Sequence, residues 1–167
     1  VEISVFRLKP DHADRYRQLR CSALSLYPQY FGASLSEEAK LSDGEWAQRI
    51  SDGVIFGAWV GDEMVACVGL ASRAKKKLRH KAVLWGMFVD PERRGLGIGR
   101  RLLEVSLSYA RARFEEVVLT VVKGNDPAAK LYASAGFYEY GREVRAIKVG
   151  GRYYDEILMR LPLAVKR

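Results

Sequence analysis

A mixed α+β fold built on one sheet is predicted by three features of this 167-residue sequence. Strand-like runs of period two dominate its middle. The apolar period then changes from two to about 3.6 after Val89. A β-branched run at 117–122 follows that helical stretch, so residues 83–122 read as one βαβ unit.

Ile3 and Val5 alternate with Glu2 and Ser4 as a first strand. Pro10 and Asp11 open a helix, with Asp11 as its expected N-cap. Tyr16, Leu19, Ala23 and Leu26 would be its buried stripe, and Pro28 ends it. Ser42-Asp43-Gly44-Glu45 has capping-box spacing for a second helix carrying Trp46 and Ile50, which Gly53 stops. Strands follow at 54–60, 64–72 and 83–89, the first two joined by a tight turn at Gly61-Asp62. Ile98, Leu102, Leu103, Leu107, Ala110 and Phe114 mark a helix of about four turns. Asp126-Pro127 starts a short helix that Gly136 ends. Strands at 137–149 and 153–161 close the chain around a Gly150-Gly151 turn. The order is β-α-α-β-β-β-α-β-α-β-β. No repeat, low-complexity tract or linker interrupts it, so residues 1–167 read as a single domain.

Composition bounds the function classes. At 49% hydrophobic and 29% charged residues the chain is globular. No apolar run reaches the ~18 residues of a membrane helix, so no membrane partner is expected. Val1-Glu2-Ile3-Ser4-Val5 has neither a basic head nor a long apolar stretch. It also lacks an initiator Met, which leaves room for residues before Val1. Cys21 and Cys67 could form one disulfide, but their spacing suggests neither a framework nor a metal site. They are read as free thiols of a cytoplasmic protein that binds no metal. The net charge of +8 admits a nucleic-acid partner, a polyanionic ligand or a solvated basic surface. Its densest cluster, at 73–81, lies between two strand-like runs and reads as a solvated hairpin tip. No nucleic-acid-binding motif is readable, and no nucleic acid is expected as a partner.

The chemistry concentrates in Asp90-Pro91-Glu92-Arg93-Arg94-Gly95-Leu96-Gly97-Ile98-Gly99-Arg100-Arg101, between a strand and a helix start. Three glycines within five residues there leave backbone N–H groups unshielded. The first N–H groups of a helix have no internal partner and sit at the positive end of its dipole. Such a loop binds phosphate, and Arg94, Arg100 and Arg101 add charge. A nucleotide-hydrolysing P-loop needs Gly-Lys followed by Ser or Thr, whereas Gly99 precedes Arg100. The dinucleotide fingerprint G-x-G-x-x-G with a later acid fits poorly as well.

The spacing that fits is Arg-x-x-Gly-x-Gly at Arg94, Gly97 and Gly99. In this the chain resembles the GNAT superfamily of N-acetyltransferases. Asn125, Ala129, Leu131, Tyr132, Gly136 and Phe137 resemble a second signature of that family downstream. Arg20, Ala23, Leu24, Pro28 and Phe31 resemble the first helix and loop of several members, more weakly. The resemblance spans essentially the whole chain. It implies a central, mostly antiparallel twisted sheet with helices on both faces. It implies acetyl-CoA as co-substrate and direct attack by an amine while both substrates are bound.

Carried onto this sequence, the resemblance gives Arg94, Gly95, Leu96, Gly97, Ile98, Gly99 and Arg100 to the pyrophosphate. Met87, Phe88 and Val89 would contact the pantetheine arm and thioester carbonyl through main-chain atoms, or simply pack a core. Asn125 would bond the arm, or cap its helix together with Asp126. Tyr132 would protonate the leaving thiolate, or be a core residue. No general base is assigned: residues 83–89 hold no Glu, and Thr120 stands where some members have one. Glu115 and Glu116 lie just before the next strand, and Asp90 reads as a turn residue. His12 and His80 read as surface residues. The acceptor would be a small-molecule or peptide amine, in a pocket shaped by residues 27–46 and the Gly150-Gly151 hairpin with Tyr30, Phe31, Tyr153 and Tyr154. A CoA-binding sensor without catalysis and a basic nucleic-acid-binding module are the competing functions. Strand pairing at the C-terminus could make a homodimer.

Overall fold

A computed structural model describes residues 1–164. In chain order its main elements are β1 (Ser4–Arg7), α1 (Ala13–Leu26), α2 (Leu35–Glu38), α3 (Asp43–Asp52), β2 (Val54–Val60), β3 (Glu63–Ser72), β4 (Lys81–Val89), α4 (Ile98–Arg111), β5 (Glu116–Val122), α5 (Asp126–Ser134), β6 (Tyr138–Val149) and β7 (Arg152–Pro162). The order expected from the sequence gains one element, the single-turn α2. Ser34 nucleates it by accepting the Glu37 N–H on Oγ at 3.3 Å.

Two local expectations are corrected. Asp11 caps nothing. The turn before α1 is closed by His12, whose Nδ1 accepts the Lys9 N–H at 2.9 Å. Leu26 is 54% exposed, and the buried face of α1 ends with Ala23 and Leu24 because the chain leaves the helix for Pro28. The capping box of α3 stands as predicted: Ser42 N–H donates to Glu45 Oε2 at 2.8 Å, and Glu45 N–H donates to Ser42 Oγ at 3.1 Å.

The strands form one seven-stranded sheet in the order β1-β2-β3-β4-β5-β7-β6. Every neighbouring pair is antiparallel except β4 and β5. That parallel pair is joined only at Lys81↔Glu116, Ala82↔Val117 and Val83↔Val118. Beyond those positions the two strands part.

A bulge in β4 accompanies the parting. Trp85 pairs with Gly69 and Phe88 with Cys67, so Gly86 and Met87 together face Val68. Gly86 adopts φ +64°, a conformation that glycine takes without steric penalty. A bulge bends its strand and sharpens the local twist.

Helices cover both faces. α4 packs Leu102, Leu103 and Leu107, and α5 packs Tyr132, in one core with Leu119, Val121 and Met159. α1 and α3 pack Tyr16, Trp46 and Ile50 against Ile55, Trp59 and Phe88 on the opposite face. Cys67 is buried, Cys21 is half-buried, and both are free thiols. No helix among the described residues is long and apolar enough to cross a membrane.

Candidate active site

The fork between β4 and β5 opens into a cleft of about 780 Å³ that reaches both faces of the sheet. Strand alternation sorts its walls. Leu119 and Val121 of β5 belong to the core under α4, so Thr120 between them faces the α1 side. Thr120 pairs with Leu158 and Val122 with Glu156, which places those β7 residues on the α1 side as well. On β4, Met87 and Val89 pack toward α4 while Trp85 and Phe88 pack toward α1.

The α4 end of the cleft is built for an anion. Gly97 is the helix N-cap at φ +75° and offers no capping side chain. The first intrahelical bond is Arg101 N–H to Gly97 O at 3.1 Å, so the N–H groups of Ile98, Gly99 and Arg100 precede any helical acceptor. At Gly99 a Cβ would stand 3.3 Å from Leu131 and 3.4 Å from Val89, so a side chain would crowd α4 against both neighbours. Arg94 lies at the rim with its guanidinium 5.2 Å from the centre of the Tyr27 ring. Asp90 holds the approach to this loop by accepting the Glu92 N–H at 3.0 Å, the turn role expected of it.

A valine at position 97 would need φ +75°, at about 1–3 kcal/mol of strain. Gly97→Val is therefore expected to lower Tm and to weaken binding of a pyrophosphate-bearing ligand at this loop at least ~10-fold, read by calorimetry beside a melting curve.

At the free edge of β4, the Asp90 N–H donates to Val65 O across β3 at 2.8 Å. Alternation therefore turns the Val89 N–H the other way, into the fork. This is the donor geometry that a strand-like ligand or a carbonyl oxygen needs.

Tyr132 reaches the cleft from α5. It is 5% exposed and packs edge-on against Phe137, with ring centres 5.9 Å apart. Burial pushes its hydroxyl well above the usual phenol range, which favours the protonated form.

The residues anticipated for cofactor contact converge, with two qualifications. Met87, Phe88, Val89, Arg94, Gly95, Gly97, Gly99, Arg100 and Asn125 all line the cleft. Ile98 lines it as well, but its side chain is 1% exposed in the core, which leaves only its backbone for a ligand. Leu96 is 52% exposed and lies outside the lining, because the loop turns outward between Gly95 and Gly97. Asn125 occupies the N-cap position of α5 without making a side-chain cap bond, and Asp126 is the first helical residue. The expected capping by Asp126 is thus not realised, and the Asn125 amide is left to the cleft.

Among the polar lining residues, Glu156 and Tyr140 escaped the sequence reading, and Arg20 entered it only through the first-helix resemblance. Glu156 is the only carboxylate among the described residues that line the cleft. Tyr140 of β6 lines the same cleft, and Arg20 closes the α1 side. Tyr153 and Tyr154, expected in the acceptor pocket, lie outside the lining. The β6–β7 hairpin carries its tip past the cleft, where the Tyr153 ring lies 3.8 Å from the Arg145 guanidinium.

The profile of the Acetyltransferase (GNAT) family matches residues 19–137, from α1 through α5. The chain belongs to the GNAT family. Mycothiol acetyltransferase from Acidothermus cellulolyticus is 30% identical over 155 residues, covering 86% of this chain and 46% of that protein. N-alpha-acetyltransferase RimI from Mycobacterium tuberculosis is 38% identical over 95 residues, covering 57% of this chain and 58% of that protein. This GNAT chain spans about half the length of the curated relatives it matches. A GNAT-family acetyltransferase from Streptococcus pneumoniae has the same fold, with TM-score 0.87 at 20% identity over 98% of this chain and 100% of that one. So does yncA from Salmonella typhimurium, solved with acetyl-CoA, with TM-score 0.87 at 15% identity over 100% of this chain and 97% of that one. The mixed, mostly antiparallel sheet with its helices is therefore the fold of GNAT structures.

Proposed function

We propose that this chain transfers an acetyl group from acetyl-CoA to a primary amine of a small molecule or peptide. One observation carries the reading. A single cleft runs from the uncapped N-terminus of α4, along the free edge of β4, to the Tyr132 hydroxyl and out to the α1 face. It offers phosphate-binding amides, a strand edge for an extended arm and a proton donor, in the order that a CoA thioester would need. Several relatives carry acetyltransferase names, among them a spermidine N(1)-acetyltransferase from Vibrio cholerae, which supports an amine acceptor.

The residues divide the work. The Ile98, Gly99 and Arg100 amides with Arg94 hold the pyrophosphate. The Val89 N–H donates to the thioester oxygen as charge gathers there. The amine enters from the α1 face, its nitrogen bonds to the acyl carbon, and the carbon–sulfur bond breaks. Tyr132 supplies the proton that the departing sulfur takes. Glu156 takes one proton from the entering ammonium before attack, directly or through water, and the proton released once the carbon–nitrogen bond has formed returns through water to Tyr132. Holding both reactants in one cleft supplies much of the acceleration.

Calorimetry with acetyl-CoA, followed by thiol release with an amine panel, tests this reading. Micromolar binding with amine-dependent release of CoA is the expected result. Binding without turnover would leave a CoA sensor, and no binding would remove the site assignment. Glu156→Gln is expected to lower turnover roughly 100-fold, as loss of a general base does, with acetyl-CoA affinity unchanged. Unaltered turnover in that variant would return the amine proton to water alone.

A further inference from the structure

One buried cation has no task in the transfer described above. Arg20 of α1 is 6% exposed, yet it lines the cleft. Its Nε and Nη2 both donate to Glu38 Oε1, at 3.3 and 3.2 Å. Arg49 donates to the same carboxylate, Nη1 to Oε1 at 3.0 Å and Nη2 to Oε2 at 2.6 Å. Two guanidinium groups thus share one carboxylate, and the cluster keeps a surplus positive charge. The centres of the Phe31 and Trp85 rings each lie 5.5 Å from the Arg20 guanidinium carbon, so aromatic contacts and the Glu38 bonds together hold the group in place.

The Nη1 atom of Arg20 is the end left over. It makes no hydrogen bond among the described residues, and it is not sealed from the cleft as the Trp46 and Trp59 indole nitrogens are from solvent. It lies beside the β4 bulge, where a Cβ on Gly86 would stand only 3.2 Å away. This is the α1 side of the fork, the side on which Glu156 also stands. Desolvating a cation is costly unless partners satisfy its donors. A guanidinium whose plane is held in place presents its remaining N–H groups to a planar anionic oxygen group better than to any neutral one.

We propose that Arg20 binds a carboxylate on the acceptor, so that the acceptor is an amino acid or a compact amine acid rather than a polyamine. Arg20 Nη1 takes the carboxylate, and Glu156, of opposite sign in the same cleft, takes the ammonium end before attack. Glu38 acts as a positioning residue that orients Arg20. The inference rests on the acetyl-transfer reading of this cleft.

The test uses the unaltered protein with acetyl-CoA and a panel of free amino acids, each beside its C-terminal amide and its decarboxylated amine, with spermidine as the polyamine. The expected result is a kcat/KM at least ~10-fold higher for some amino acid than for its amide and its amine. Arg20→Gln should level that preference by raising KM for the amino acid while the acetyl-CoA Kd stays unchanged, and Arg20→Lys should restore part of it. If Arg20→Gln does not fold, the comparison within the unaltered protein still decides. Equal or better transfer to the amides, the amines or spermidine overturns the carboxylate assignment while leaving acetyl transfer standing. Transfer to no amine at all overturns both.

Discussion

Tyr132→Phe is expected to lower kcat by roughly 100-fold, the scale of a lost general acid, with acetyl-CoA affinity within about two-fold of the parent. Phenylalanine keeps the edge-on contact with Phe137 and removes only the hydroxyl. Burial favours the protonated hydroxyl over the phenolate. In the proposed transfer the proton passes as negative charge gathers on the departing sulfur. Thiol-release kinetics, calorimetry and a melting curve separate the possibilities. Unchanged kcat would end the donor role. A parallel loss of affinity and Tm would make Tyr132 a packing residue.

Glu38→Ala is expected to destabilise the fold by about 3–5 kcal/mol, the scale for breaking a buried ion pair from one side. The carboxylate is 6% exposed and bonded by two arginines from α1 and α3, so its loss leaves two cations facing each other. It also unties α2 from both helices. Burial by itself would raise the Glu38 pKa, but the hydrogen bonds and charges of Arg49 and Arg20 outweigh it and hold the carboxyl below its usual value. The sign follows. Its stabilisation is fully present above the unfolded value of about 4.3 and is lost as pH falls through the lower folded value. Parent Tm should therefore drop in acid below about pH 4, and Glu38→Gln should lack that part of the drop. Denaturant unfolding at neutral pH and melting between neutral and acid pH are the measurements. A loss under about 1 kcal/mol for Glu38→Ala would mean that Arg20 and Arg49 find water instead.

Much of this architecture was legible in the sequence because it rests on local signals. The change of apolar period after Val89, the Ser42/Glu45 box and Gly136 at the end of α5 are each encoded within a few neighbouring residues. The glycine loop was legible for the same reason, since its chemistry is backbone chemistry. What escaped depends on contacts between distant parts of the chain. Glu38 reads as an ordinary loop charge, and Arg20 as part of a first-helix resemblance with no stated task, until α1, α2 and α3 pack together. Glu156 reads as one alternating residue of a hairpin, and only the β5–β7 register turns it toward the cleft. Asp11 was misjudged because an acid after proline is a common cap, whereas here the His12 ring closes the turn and rests against Trp59, with ring centres 5.2 Å apart.

The three-rung join between β4 and β5 has a consequence for motion. It divides the sheet into two leaves, β1 to β4 and β5 to β7, hinged at one end and held elsewhere by the side chains of α4 and the core beneath it. Backbone groups along the open seam depend on water or on a guest for their hydrogen bonds. A guest laid there substitutes for the missing rungs, clasping the leaves together as it binds. Ligand binding then adds to the local opening free energy of the seam by mass action, and amide exchange at residues 85–89 and 119–122, with and without ligand, reports the increment.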